Sequence, residues 1–404
     1  MDIALGHTIS LLGVAILVAM LARRLSLPYT VGLVVTGIGL AVTRLETGAM
    51  LTHDFILDVI LPPLLFEAAI NIHWRPLSRD MLPVLTLSTL GVIVSAAFVA
   101  AGLAFLLSWP AMPALVFGVL IAATDPIAVI ALFKDIGVTG RLRLLVESES
   151  LFNDGVAAVL FGLTLTWTQS PQGASMSGAM VALTLAKVAG GGVLIGIACG
   201  IVAIAIAWRT SDHLVETALT AVAAYGSFLL AESFHLSGVL ATVAAGLLMG
   251  NLGVLIEDEG RAALSSQGRE FVIALWEFAA FIANSLVFLL IGLRVAGMAF
   301  ADVGWAIVPV ATLLVLAGRA VTVYPLCLPF ARSRWAVPMR EQHILWWGGL
   351  RGALALALAL ALPISLPFNN DILIATFGVV TFSVVVQGLT MPMLIRRLSG
   401  SARV

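Results

Sequence analysis

Long apolar runs recur along the whole chain, separated by short polar links. A bilayer core takes about 20 apolar residues per helix. On that measure thirteen segments are predicted, at roughly 3–22, 28–43, 54–72, 82–108, 112–133, 142–168, 178–208, 213–232, 236–251, 269–293, 303–330, 342–362 and 371–395. The expected fold is an all-α polytopic membrane protein with about 13 transmembrane helices, a single membrane domain over 1–404 with no soluble domain. The first run, Ile3 to Met20, reads as a membrane helix and not as a cleaved signal, because similar runs continue to the end.

The basic residues order these segments. Sixteen Lys and Arg fall in the links after odd-numbered segments or at the C-terminal end, and only Arg44 and Arg294 fall on the other side. Basic residues favour cytoplasmic loops, so the N-terminus is expected outside and the C-terminus in the cytoplasm. Segments 1–6 and 8–13 form two groups of six, over about 1–168 and 213–397, linked by the helix at 178–208. Their offset of seven is odd, so corresponding helices cross in opposite directions. That is an inverted repeat. Segments 5 and 12 match in this scheme and both are interrupted, the first at Thr124-Asp125-Pro126, the second at Gly348, Gly349 and Gly352 around Arg351. Interrupted crossing helices at matching positions point to a binding site.

Composition narrows the chemistry. The chain is 61% hydrophobic and 11% charged, with a net charge of −1, which argues against a nucleic-acid partner. Cys199 and Cys327 sit in apolar runs, with no CxxC or Cys/His cluster to imply a bound metal cofactor. What remains is a handful of ionisable residues inside membrane segments, each costing roughly 2.5–3.5 kcal/mol on insertion scales. Asp154 lies thirteen residues beyond Arg141, about 20 Å along a helix. Ser150 stands one turn away on the same face, and Asn153 beside it. A carboxylate, a hydroxyl and an amide at that depth suit a small hard cation, which takes oxygen ligands. The plainer alternative is a packing carboxylate satisfied by hydrogen bonds.

Asp125, about 12 Å deep, stands in the first break, which frees carbonyls such as that of Thr124; it either helps to bind the cation or only stabilises the broken helix. Glu67, after Pro62-Pro63, is a further ligand or gate, or a carboxyl reaching the interface. Glu149 and Arg351 reach similar depths of about 12–15 Å and are expected to form a salt bridge tying one repeat to the other. Glu277 and Arg319 form a second possible pair by the same argument. His343 and the pair Trp346 and Trp347 read as interfacial.

Thr124-Asp125-Pro126, the run Glu149 to Gly155, the run Phe281 to Gly292, and Trp347-Gly348-Gly349-Leu350-Arg351-Gly352-Ala353 together resemble the NhaP-type sodium/proton antiporters, the prokaryotic relatives of the animal NHE exchangers. The resemblance covers essentially the whole chain. It implies thirteen helices, a homodimer in a prokaryotic plasma membrane, alternating access, and no cofactor beyond the transported Na⁺ and H⁺. It implies that Asp154 alternately carries cation and proton. Thr124, Asp125, Ser150, Asn153 and Glu67 fall at or near the ion site, with Asp154, Ser150 and Thr124 holding Na⁺, and Glu149 and Arg351 fall on the salt-bridge positions. Electrogenic relatives carry a second aspartate where this chain has Asn153, and a membrane lysine, so one-for-one exchange is expected. The long cytoplasmic tail of the animal exchangers has no counterpart here, and regulation through it is not expected. Potassium/proton exchange stays open, since these ligands do not fix ion size. A channel fits two interrupted halves less well, and no intramembrane-protease motif is present.

Overall fold

The computed structural model describes residues 2–25, 29–42, 55–125, 129, 130, 133, 138–169, 178–256, 263–296, 298, 304–363 and 365–399. Helix lies within each of the thirteen predicted segments, and no strand occurs among the described residues. In chain order the helices used below are α1 (Asp2–Leu25), α2 (Tyr29–Val42), α3 (Leu61–Ile70), α4 (Trp74–Leu85), α5 (Gly91–Leu106), α6 (Ala111–Leu120), α7 (Arg141–Gln169), α8 (Gly178–Ala207), α9 (His213–Ser233) and α10 (Gly238–Met249). They continue with α11 (Ser266–Ala296), α12 (Ile307–Cys327), α13 (Met339–Trp347), α14 (Ala353–Leu360), α15 (Asn369–Phe382) and α16 (Gly388–Ser399). Among the described residues, seven continuous helices are long and apolar enough to cross a membrane unaided. Other predicted crossings are built from shorter pieces: segment 12 is α13 and α14 separated by residues 348–352.

The chain divides into two compact units. One contains residues 54–81 and 154–283. Within it α10 packs against α3, α8 and α9. The approach of α8 to α10 brings backbones into contact, because a β-carbon at Gly196 would collide with the Ala241 carbonyl. Small residues permit this kind of close helix packing in membranes. The core of the unit is largely small aliphatic, with Phe66 and Trp276 packed at 4.6 Å between ring centres and tilted by 43°. The Trp276 indole N–H donates to the Thr220 hydroxyl at 2.9 Å, which satisfies the one polar atom that burying the ring would strand. Buried Glu216, on the first turn of α9, accepts from the Ser265 hydroxyl at 2.8 Å and from its backbone N–H. A carboxylate there complements the positive end of α11.

The other unit contains residues 1–53, 82–153 and 284–404. Here α12 packs on α5 and α15, α5 on α6, and α14 on α15. Both interrupted segments belong to this unit, and so does the stretch of α7 that carries Glu149, Ser150 and Asn153.

Candidate functional site

The two interruptions meet. The helix α6 ends at Leu120, and the chain runs on without helix through Thr124 and Asp125. The backbone N–H of Asp125 donates to the carbonyl of Leu350 at 2.7 Å, inside the second break. Contact is so close at Gly352 that any β-carbon there would strike the Asp125 carboxylate. This explains the glycine without appeal to backbone conformation. Pro126 lies outside the described residues.

Arg351 occupies this crossing, 2% exposed. Its Nη1 donates to the carbonyls of Ala122 at 2.6 Å and Ala123 at 3.0 Å, just past the C-terminal end of α6. A helix leaves its last carbonyls unpaired and carries partial negative charge there. A buried guanidinium with several fixed donors answers both. The second break has its own supports. The backbone N–H of Arg351 donates to the Ser383 hydroxyl at 3.0 Å, that hydroxyl donates to Gln387 at 2.7 Å, and the Gln387 amide donates to the Trp347 carbonyl at 2.9 Å. Ser383 and Gln387 bound a π-helical turn between α15 and α16, a distortion that is frequent at functional sites.

The expected bridge between Glu149 and Arg351 is not formed. Glu149 is held instead by Arg319 of α12, whose two terminal nitrogens reach its two carboxylate oxygens at 2.7 Å each. The remaining Arg319 contacts go to the Leu345 carbonyl. The expected pair of Glu277 with Arg319 fails with it; Glu277 is exposed on α11. The reason is geometric. Depth along the membrane normal does not distinguish the two arginines, since Arg319 is eight residues from the end of α12, again about 12 Å. The deciding facts are lateral. Arg351 sits in a break whose freed carbonyls take its donors, whereas Arg319 projects from an intact helix and offers its planar fork to a carboxylate.

Next to this pair lies a buried polar chain. The Asn153 amide donates to the Thr124 hydroxyl at 3.1 Å and, at 3.4 Å, to Glu149. The Thr124 hydroxyl donates to the Ser150 hydroxyl at 3.1 Å. Thr124, Glu149, Ser150 and Asn153 are all buried. An ionised Glu149 can only accept, so it fixes which end of the Asn153 side chain carries the NH₂. The Asn153 carbonyl oxygen is thereby turned elsewhere; it is buried and accepts no hydrogen bond among the described residues. A buried acceptor without a donor costs about 1–3 kcal/mol. A cation close to it would remove that cost.

The structure therefore brings Thr124, Asp125, Ser150, Asn153, Glu149 and Arg351 into one unit and adds Arg319. Asp154 is the next residue of the uninterrupted α7, half-buried, one turn from Ser150. It begins the other unit, as does the chain's approach to Glu67 at residue 54. Glu67 is half-buried on α3 and accepts from the Asn71 amide at 3.1 Å. Sequence reasoning missed Ser383 and Gln387, although a polar pair four residues apart in an apolar helix was a usable signal. The two tryptophans also bond within the protein. The Trp346 indole donates to the Leu316 carbonyl and that of Trp347 to the Thr390 hydroxyl, both at 2.9 Å, so their polar edges are turned to the protein. His343 bonds the Tyr324 hydroxyl at 2.7 Å.

Comparison with known proteins gives a consistent result. The profile of the family described as sodium/hydrogen exchanger, transmembrane, matches residues 11–397. The Na⁺/H⁺ antiporter ApNhaP of Aphanothece halophytica is 40% identical over 392 residues, 96% of this chain and 73% of its own length. The Na⁺/H⁺ antiporter NhaH of Halobacillus dabanensis is 34% identical, with 96% of each chain covered. Among solved structures, the sodium proton antiporter MjNhaP1 of Methanocaldococcus jannaschii superimposes with a TM-score of 0.79 at 20% identity, covering 100% of this chain and 99% of its own. That likeness concerns the fold.

Proposed function

Because the chain belongs to the transmembrane sodium/hydrogen exchanger family, we propose that it exchanges Na⁺ for H⁺ across the membrane, one for one, with Asp154 alternately protonated and cation-bound. The observation that carries the reading is the buried oxygen cluster on and beside α7: two hydroxyls in series, a carbonyl oxygen with no donor among the described residues, and Asp154 one turn from Ser150. A hard monovalent cation takes oxygen ligands. A carboxylate that binds it must first lose its proton, so the two ions compete for one group and never ride together. That competition is what couples the fluxes. Asp125 stands at the broken-helix crossing, where it stays charged through the cycle, and Glu67 serves as a further ligand or gate. The same reading includes a homodimer, two inverted repeats at about 1–168 and 213–397, and a cytoplasmic C-terminus in a prokaryotic plasma membrane.

One-for-one exchange follows from the residues next to Asp154. Asn153 does not titrate, and the arginines of the site, Arg319 and Arg351, stay protonated in proteins. If net charge moved, each 100 mV would bias transport by about 2.3 kcal/mol, close to fiftyfold in the equilibrium gradient. In proteoliposomes with the potential clamped by potassium and valinomycin, the final Na⁺ distribution is expected to follow the pH gradient alone. A distribution that tracks the clamped voltage would refute one-for-one exchange. Proton flux driven by Na⁺, Li⁺ or K⁺ gradients in proteoliposomes without valinomycin tests the choice of ion; flux driven best by K⁺ would replace Na⁺ with K⁺ as the substrate.

The topology is testable separately. Single cysteines at Ser78 and Ser333 are expected to react with an impermeant thiol reagent from the cytoplasmic side only, and one at Ser170, outside the described residues, from the opposite side only. Labelling of Ser170 and Ser333 from one face would overturn the orientation.

A further inference from the structure

A cleft of about 280 Å³ opens between the end of α13 and α16, lined by Trp346, Trp347, Thr390, Met393, Leu394 and Arg397. Its walls are almost wholly apolar, because both indole N–H groups are directed into the protein and the Thr390 hydroxyl is engaged with Trp347 and with backbone carbonyls of its own helix. The two indole rings pack at 5.4 Å, tilted by 60°, and form a rigid wall. Beside the cleft, Val386, Leu389 and Met393 make an exposed apolar stripe along the helical approach and α16, and on a membrane helix such a stripe faces acyl chains. The last turn of α16 then presents Arg396 and Arg397 with no acidic residue anywhere on the helix. So a greasy slot continuous with a lipid-facing stripe ends on a fixed positive charge. The volume lies just under the range of about 300–1,000 Å³ that encloses a whole small molecule, and it suits part of one chain.

We propose that this cleft binds an anionic phospholipid, one acyl chain lying on the tryptophan wall and the phosphate on Arg397. The site is independent of the exchange reading and requires only that the protein reside in a bilayer. Arg396 provides the internal control, since it shares the helix end and the charge but does not line the cleft.

The test is native mass spectrometry of the delipidated, detergent-purified protein with phosphatidylglycerol or phosphatidylcholine of identical chains, alongside thermal melting with each lipid. Phosphatidylglycerol is expected to bind more tightly, by about fivefold for one basic residue against an anionic headgroup, and to raise the melting temperature more. Arg397→Gln should abolish that preference, Arg396→Gln should preserve it, and Met393→Glu, at the exposed lip, should weaken both lipids. Equal binding of the two lipids by the unaltered protein would overturn the proposal. So would an equal loss in both arginine variants, which means diffuse surface charge, or a melting shift reproduced by glycerol phosphate alone, which means a headgroup site without the cleft.

Discussion

Asp154→Asn is expected to abolish sodium-coupled proton flux down to the level of protein-free liposomes. The amide keeps the size and shape of the side chain but cannot exchange a proton for a cation. Asp154 is half-buried in the middle of an uninterrupted helix, and the amide has the same shape, so the variant should still insert and purify as folded protein. The paired readout matters: flux lost with stability retained assigns a chemical role to the carboxylate. Flux similar to the parent in the purified variant would remove Asp154 from the centre of the mechanism. Loss of folded protein together with flux would instead make it a structural carboxylate.

The second large effect concerns the buried pair. Removing one partner of a buried salt bridge leaves an uncompensated charge and costs about 3–5 kcal/mol. Glu149→Gln and Arg319→Gln should each lower the stability of the detergent-purified protein by an amount in that range, since Arg319 grips both carboxylate oxygens at 2.7 Å. Combining them should cost far less than the sum, because the second substitution removes the charge that the first left stranded. Glu149→Gln combined with Arg351→Gln should be additive within about 0.5 kcal/mol. Coupling between residues 149 and 351, with none between 149 and 319, would reverse the assignment made from the geometry. The arginine at 351 has a different dependence, because its loss exposes the Ala122 and Ala123 carbonyls.

The contrast between these two arginines shows what a sequence can and cannot carry. Membrane helices advertise themselves, because water-free surroundings demand about 20 apolar residues at a time, and helix lies in each predicted segment. Breaks advertise themselves too: Asp125 before a proline and three glycines around Arg351 were legible as interruptions, and the two do meet. Depth was also legible, at about 1.5 Å per residue. What a linear count lacks is azimuth. Whether an arginine at a given depth faces a carboxylate on α7 or a carbonyl past α6 depends on helix rotation and on which neighbours pack beside it, and no spacing rule records that. Ser383 and Gln387 were overlooked for a related reason. They touch no ion; they hold backbone, and their importance appears only once the broken strand of chain at Trp347 and Arg351 has been placed against them.

The bond from the Asp125 amide to the Leu350 carbonyl joins main chain to main chain. Ordinary side-chain replacement at either position leaves its atoms in place; only proline at 125 deletes the donor. This one bond is thus decoupled from the side chains at 125 and 350, whereas the Arg351, Ser383 and Gln387 side chains hold the rest of the crossing. A lineage descending from such a scaffold can change the group displayed at position 125 and keep this bond, while Arg351, Ser383 and Gln387 stay fixed as the side chains that hold the two breaks.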